Sequence, residues 1–341
     1  MADRRSTTTS VRPWVGAVCP VLKGLAASLL LVCGNVSAKD CGLKPLGSAD
    51  INVPRDRFVL VQVKVNDHPA VMRLDMSSAI SLVDSRFLDL LGLRALTAQK
   101  SMEQVSARKT IKLDHYTKLT SLEIGSGQFG APSVFLLPSD ETGPSPGDRP
   151  EIGSLGMDVL GSVDLDLDFA KNKLNFFSRD HCGNEPAYWT HDYLRTALVL
   201  APLGNYLFPV ELDGKRVEAV ISMAIGQSWI ATDAAKQLYG FDENAAGVDG
   251  SSASIHIAYR DMTLSGIGPG SRHVKIAIEP IPVDPTCMLT SHGTGAAWYQ
   301  GRVCRGAEAP LHLGLDVLRH THLYFATKEQ AFYLSDAEAA E

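Results

Sequence analysis

The chain has 341 residues, of which 45% are hydrophobic and 21% charged, with a formal net charge of −6. At roughly 100–200 residues per domain, this length suggests two domains, each large enough for its own core. The composition is that of an ordinary globular protein, and the absence of a basic stripe or Lys/Arg-rich run argues against nucleic acid as a partner.

The N-terminus reads as an export signal. Arg4, Arg5, Arg12 and Lys23 face only Asp3, Gly24 to Val32 is a short apolar stretch, and Val36-Ser37-Ala38 supplies small residues before Lys39. This order of features defines a signal peptide over residues 1–38. The apolar stretch is too short to span a bilayer, and no later segment reaches ~18 consecutive apolar residues. The expected localisation is therefore periplasmic or extracellular, with no membrane attachment after signal removal. Lipid attachment through Cys33 is the weaker alternative, because the bulky Val32 precedes it where a small residue is usual. The mature chain keeps Cys41, Cys182, Cys287 and Cys304, an even number that suits disulfides. The favoured pairing is Cys41–Cys182, tying the start of the first unit to its end, with Cys287–Cys304 closing a local loop in the second. A zinc site is the rival, but no Cys-x-x-Cys pair exists, so no metal is expected.

Further along, Phe58 to Val65 is β-branched and half alternating, and Asn66-Asp67 is turn chemistry. Asp84 to Leu91 carries Phe87, Leu88, Leu90 and Leu91 ahead of Gly92, which predicts a short helix. Pro138 to Pro150 is rich in Pro, Gly, Ser and Asp and reads as a loop. Leu165 to Phe169 alternates, and Leu174-Asn175-Phe176-Phe177 is strand-like. Arg179 to Leu200 forms the link to a second unit. There Leu207 to Leu212 and Asp213-Gly214 repeat the strand-and-turn logic, and Asp233 to Leu238 before Gly240 predicts another helix. Leu323-Tyr324-Phe325 and Ala331 to Leu334 close the chain as strands.

An internal repeat organises these elements. The segment from Val65 through Leu74-Asp75-Met76 to Ser81-Leu82-Val83 matches Leu212 through Ile221-Ser222-Met223 to Ser228-Trp229-Ile230 at a constant offset of 147 residues. Later, Leu155-Gly156-Met157-Asp158-Val159-Leu160 matches Leu313-Gly314-Leu315-Asp316-Val317-Leu318. The expected organisation is a first β unit over 39–180, a linker over 181–202 and a second β unit over 203–341.

The order strand, turn, strand, Asp-containing loop, strand, helix, and later hydrophobic-Gly-hydrophobic-Asp resembles the retropepsin-like aspartic proteases. Two such units in one chain resemble the pepsin-like and duplicated bacterial retropepsin-like arrangement. The resemblance covers roughly residues 50–180 and 203–336. It implies a mainly β fold with two homologous aspartic-protease-like lobes (closed β-barrels) around a central cleft that takes an extended peptide or protein segment. In that family each unit supplies one carboxylate from an Asp-Thr-Gly motif, the pair shares a proton, and no cofactor is used. A hairpin flap lies between the two motifs of a unit, here Lys100 to Tyr116 in the first and around Ser251 to Tyr259 in the second.

Both copies of the motif depart from the family pattern. The first reads Asp75-Met76-Ser77-Ser78, keeping the possible catalytic carboxylate but replacing Thr and Gly. The second reads Ser222-Met223-Ala224, with a hydroxyl in the partner slot. Ser222 does not ionise near neutral pH, and losing one acid/base partner typically forfeits ~10²–10⁴-fold in rate. Met76 and Met223 are adaptable apolar fillers for a seam that hydrogen bonds otherwise cross. Gly156, Gly314, Asp158 and Asp316 read as motif-supporting rather than catalytic. Gly226-Gln227-Ser228-Trp229-Ile230 lacks the last Gly of a serine-hydrolase elbow. His320 and His322 read as a solvated edge rather than a metal site, and Trp298 and Tyr299 as partly buried surface aromatics. The expectation is an exported, catalytically impaired aspartic-protease homologue that binds peptide or acts as a scaffold. An active endopeptidase using Asp75, completed by dimerisation, and a structural envelope protein are the alternatives.

Overall fold

The computed structural model describes residues 42–54, 57–105, 110–138, 149–181, 187–201, 206–241, 258–268, 270–279, 286–292, 299–304 and 310–337. The expected signal peptide, Cys33, Cys41, Cys182, Trp298 and most of the second candidate flap lie outside these residues. Residues 41–341 form one compact unit.

The first half runs β1 (Pro45–Asn52), β2 (Leu60–Val65), β3 (His68–Leu74), β4 (Leu82–Asp84), β5 (Leu96–Val105), β6 (Thr110–Lys118), β7 (Leu122–Ile124), β8 (Gly127–Gln128), β9 (Ser133–Leu137), β10 (Glu151–Leu155), α1 (Met157–Leu160), β11 (Asp164–Asp168) and β12 (Lys173–Phe177). The second runs β13 (Leu194–Ala197), β14 (Val199–Leu200), β15 (Tyr206–Leu212), β16 (Lys215–Ile221), β17 (Trp229–Ala231), α2 (Thr232–Tyr239), β18 (Ala258–Ser265), β19 (Ser271–Glu279), β20 (Thr286–His292), β21 (Tyr299–Cys304), β22 (Leu311–Leu313), α3 (Leu315–Leu318), β23 (Thr321–Ala326) and β24 (Ala331–Asp336). The chain is mainly β, as the resemblance implied.

Local chemistry explains the main turns. Asn66 and Asp67 close the β2–β3 hairpin with φ of 49° and 66°, and Asp213 and Gly214 close β15–β16 with 47° and 71°. Two successive left-handed residues give the turn whose twist matches the flanking strands, and Asn, Asp and Gly tolerate that conformation best. The helix predicted from Asp233 is α2. The helix predicted over Asp84 to Leu91 is not formed. Asp84 is still extended and accepts from the Arg86 N–H, and a 3-10 turn covers only Ser85–Phe87. Asp84 is held in β4 opposite Leu137 of β9, so helical turns can begin only after it, while Phe87, Leu88 and Leu91 still pack against the core.

The same wiring occurs in both halves. β10 runs parallel to β3 and antiparallel to β4, and β22 runs parallel to β16 and antiparallel to β17. β4 pairs in parallel with β9, and β17 with β19. The halves then share one antiparallel layer in the order β1, β12, β11, β23, β24, β13. Its central join sets Leu165 opposite Phe325, Asp166 opposite Tyr324 and Leu167 opposite Leu323. Leu165, Leu167, Leu323 and Phe325 are buried within the main apolar core, which gathers strands of both halves. The two repeats are thus fused along a common floor, with the loops bearing Asp75 and Ser222 above it.

Candidate functional site

Each loop begins where a strand ends against the strand beside it. The Asp75 N–H donates to the Leu155 carbonyl at 2.9 Å, and the Ser222 N–H donates to the Leu313 carbonyl, also at 2.9 Å. Residues 75 and 222 therefore occupy equivalent places at the ends of β3 and β16. Met76 and Met223 are both buried in the common core, and the Val59 N–H crosses between halves to the Met223 carbonyl at 2.8 Å.

The side chains meet through Ser77. Its N–H and its hydroxyl both reach Asp75 Oδ1, at 3.1 and 2.5 Å, and its Oγ lies 3.2 Å from Ser222 Oγ. Ser77 has a single hydroxyl proton, and a carboxylate can only accept. With that proton given to Asp75, Ser222 is the donor to Ser77. The result is a chain Ser222, Ser77, Asp75 ending on one carboxylate, with Ser222 buried and Asp75 half-buried. A paired-carboxylate site places two titrating groups around a shared proton. Here the second position holds a hydroxyl, and a side-chain oxygen bridges the two positions.

Beneath the loops the halves match bond for bond. Ser81 Oγ donates to Asp158 Oδ1 at 2.6 Å and accepts the Gly156 N–H at 2.9 Å. Ser228 Oγ donates to Asp316 Oδ1 at 2.6 Å and accepts the Gly314 N–H at 2.8 Å. The N–H groups of Ser81 and Ser228 also reach these carboxylates. The N–H groups of Met157 and Asp158 donate to the carbonyls of Ser78 and Ala79, as those of Leu315 and Asp316 do to Ile225 and Gly226. Burial pushes the Asp158 carboxyl above its ordinary range, against the pull of its bonds from Ser81 and Val159. The close approach explains the glycines. A Cβ at Gly156 would sit 2.4 Å from the Ile80 carbonyl oxygen, and one at Gly314 would sit 2.8 Å from the Gln227 carbonyl carbon.

A second cluster lies on the other face of the shared layer. Asp164, Asp166 and Asp168 alternate with the core leucines of β11, yet all three are buried. His181 Nε2 lies 2.6 Å from Asp164 and its Nδ1 3.3 Å from Glu329. His322 Nε2 lies 2.5 Å from Asp166 Oδ1, and its ring stacks on Trp189 at 3.9 Å. Tyr188 and Asn175 donate to the other oxygen of Asp166. Burial and the neighbouring Asp166 hold the Tyr188 hydroxyl well above its ordinary range. Burial works against ionisation of Asp168, but the Lys171 ammonium and N–H bound to it outweigh that and hold its carboxyl below the usual range. A hollow of about 520 Å³ beside Leu43, Phe177 and Tyr188 opens on this face and shares no residue with the seam. Among the described residues, no group of three or more His, Cys, Asp or Glu side chains is arranged to hold a metal ion.

The structure thus brings Asp75, Ser77 and Ser222 together at one seam, with Met76 and Met223 in the core beneath and Gly156 and Gly314 under the loops. Asp158 and Asp316 are braces bonded to Ser81 and Ser228, which also explains Ser228 without a nucleophile's role. His322 is a correction: it is buried against Asp166 and Trp189 rather than part of a solvated edge, because β23 is covered on both faces, while His320 is exposed. The register sets Cys287 opposite Cys304 in the backbone of β20 and β21. Sequence reading missed Ser81 as a brace, although the 147-residue offset that pairs it with Ser228 marked it. It also missed the buried Asp164, Asp166 and Asp168, whose alternation with leucine is the pattern of a solvated strand face.

No protein-family model matches the chain, and no curated protein matches it in sequence. Among solved structures, the aspartic proteinase from Irpex lacteus is similar at a TM-score of 0.47 and 12% identity, covering 85% of this chain and 97% of that one. The basic 7S globulin from soybean is similar at a TM-score of 0.45 and 11% identity, covering 87% and 96%. The chain is mainly β, with the same strand wiring and the same Ser–Asp–Gly brace in both halves.

Proposed function

We propose that this chain is an exported aspartic-protease homologue that binds an extended peptide segment at the seam between its halves and does not cleave it. The observation that supports this reading is the Ser77 hydroxyl lying between Asp75 Oδ1 and Ser222 Oγ. A hydrolytic dyad needs two titrating groups and a water between them, one group taking a proton from that water as the other gives one to the scissile carbonyl. Among the described residues this seam has one carboxylate, and a side-chain oxygen stands where the two partner positions converge. Ser222 gives its one hydroxyl proton to Ser77 and does not ionise near neutral pH, so it supplies no second titrating group. Removal of residues 1–38 and disulfides at Cys41–Cys182 and Cys287–Cys304 belong to the same reading.

The test is incubation of the purified mature protein with a diverse peptide library from about pH 3 to pH 7, the range in which carboxylates titrate. Peptides should be retained and recovered intact. Cleavage that Asp75→Asn abolishes would instead establish an endopeptidase, and its dependence on protein concentration would show whether a second copy completes the site.

A further inference from the structure

The outer face of the shared layer carries a row of side chains in register across both halves. Ser48 stands opposite Asn175, Asn175 opposite Asp166, Asp166 opposite Tyr324 and Tyr324 opposite Tyr333. Directly opposed residues point to one face of a sheet, so these side chains form a line. From Asp166 onward the linker covers the row. Tyr188 donates to Asp166, and the Trp189 ring stacks on His322 and on Tyr324. At its other end the row runs into the hollow of about 520 Å³, where Ser48 and Asn175 form part of the lining.

Two polar atoms at this end are unanswered. The Asn175 amide nitrogen donates to Asp166 Oδ2 at 3.0 Å, and a carboxylate only accepts, so the amide oxygen is turned away from that bond. The backbone N–H and carbonyl of Ser48 are bonded to Ser126. The Ser48 hydroxyl and Asn175 Oδ1 have no hydrogen-bond partner among the described residues. The other walls are apolar: Leu43, Pro45, Phe177 and the ring of Tyr188. Tyr188 is exposed, yet its bond to Asp166 and its contacts with Phe177 at 5.7 Å and Trp189 at 5.5 Å fix the ring in place. β1 is bulged at the rim. Pro45 faces Phe177 and Gly47 faces Phe176, so Leu46 is the extra residue, and it is exposed.

This lining selects by chemistry. Its one ionisable group is the Tyr188 phenol, whose proton is committed to Asp166, so a charged ligand would lose its hydration without gaining a partner. A wholly apolar ligand would cover the Ser48 hydroxyl and the Asn175 oxygen and leave both unpaired. A sugar ring meets both demands, with a C–H face for the aromatic wall and hydroxyls for the two oxygens. The volume lies in the range of small-ligand sites. We propose that this hollow binds a neutral sugar ring, at a site separate from the seam and independent of the peptide-binding reading.

The experiment titrates the isotope-labelled mature protein with glucose, N-acetylglucosamine and cellobiose, and with cyclohexanol as an apolar ring carrying one hydroxyl. Amide shifts are followed by NMR. The expected result is saturable binding of at least one sugar with a Kd of about 1–10 mM, moving amides within 43–48, 175–177 and 188 and leaving those of 75–77 and 222 in place. Ser48→Ala should weaken binding about fivefold and Tyr188→Ala about tenfold or more. Tyr188→Ala also uncovers an oxygen of the buried Asp166, so Ser48→Ala, which removes a single hydroxyl, decides the matter if the tyrosine variant does not fold. No shift with any of the sugars up to about 100 mM overturns the site. Sugar binding that Ser48→Ala leaves unchanged, or that moves other amides instead, overturns its placement. Binding of cyclohexanol with no sugar bound overturns the ligand class.

Discussion

The braces and the loop tips lie only a few residues apart, and they differ in opposite ways. At the braces, Ser81 with Asp158 and Gly156 and Ser228 with Asp316 and Gly314 give the same bonds at nearly the same lengths in both halves. At the tips, Asp75 and Ser77 stand where the other half has Ser222 and Ala224, and position for position the two share only the methionine between them. The braces answer to backbone geometry, since each binds N–H groups that would otherwise be buried without a partner. The tips answer to chemistry, and nothing in the packing beneath requires a carboxylate at position 222. The two repeats therefore keep one set of braces while differing at their tips.

The largest expected effect lies behind both regions, on the shared floor. His322→Ala removes a buried ring that contacts Asp166 and stacks on Trp189, leaving a cavity, and should lower the unfolding free energy by ~3–5 kcal/mol in urea titrations. A loss below ~1 kcal/mol would mean that this layer contributes little to joining the halves.

Next come the braces, where the comparison predicts equality. Asp158→Ala and Asp316→Ala each strand a Ser hydroxyl and backbone N–H groups and should each cost ~2–4 kcal/mol. A large loss in one half alone would break the equivalence of the two repeats.

Acid sensitivity sharpens the contrast further. The Asp168 carboxyl is held below its unfolded value, so its contribution is present above that value and is lost as pH falls through the folded one. Asp168→Asn should therefore reduce the stability difference between pH 7 and about pH 3 measured by denaturant unfolding. The smallest stability effect belongs to the tip. Ser77→Ala removes a hydroxyl from a half-buried loop and should shift stability by ~1 kcal/mol or less while changing peptide affinity.

The repeat made most of the architecture legible before any coordinates. The repeat places Asp75 against Ser222 (222 − 75 = 147) and Gly156 against Gly314 (314 − 156 = 158), and periodicity locates β2, β15, β11 and α2. What stayed hidden were matters of tertiary context. Alternation at Asp164, Leu165, Asp166, Leu167 and Asp168 describes one face turned from the core. It says nothing of Trp189 and Tyr188 covering that face. For the same reason His322 read as a surface residue. Ser77 as a bridge was also beyond pattern, because its reach to both Asp75 and Ser222 depends on how two loops 145 residues apart are set against each other.

The most direct measurement is peptide hydrolysis by a chain with the carboxylate pair restored, carrying M76T, S77G, S222D, M223T and A224G, beside the native sequence from about pH 3 to pH 7. Hydrolysis at least ~10²-fold above native, and abolished again by Asp75→Asn, is the predicted result. A restored chain that folds and unfolds cooperatively yet cleaves no faster than the native one would contradict the placing of positions 75 and 222 as partners.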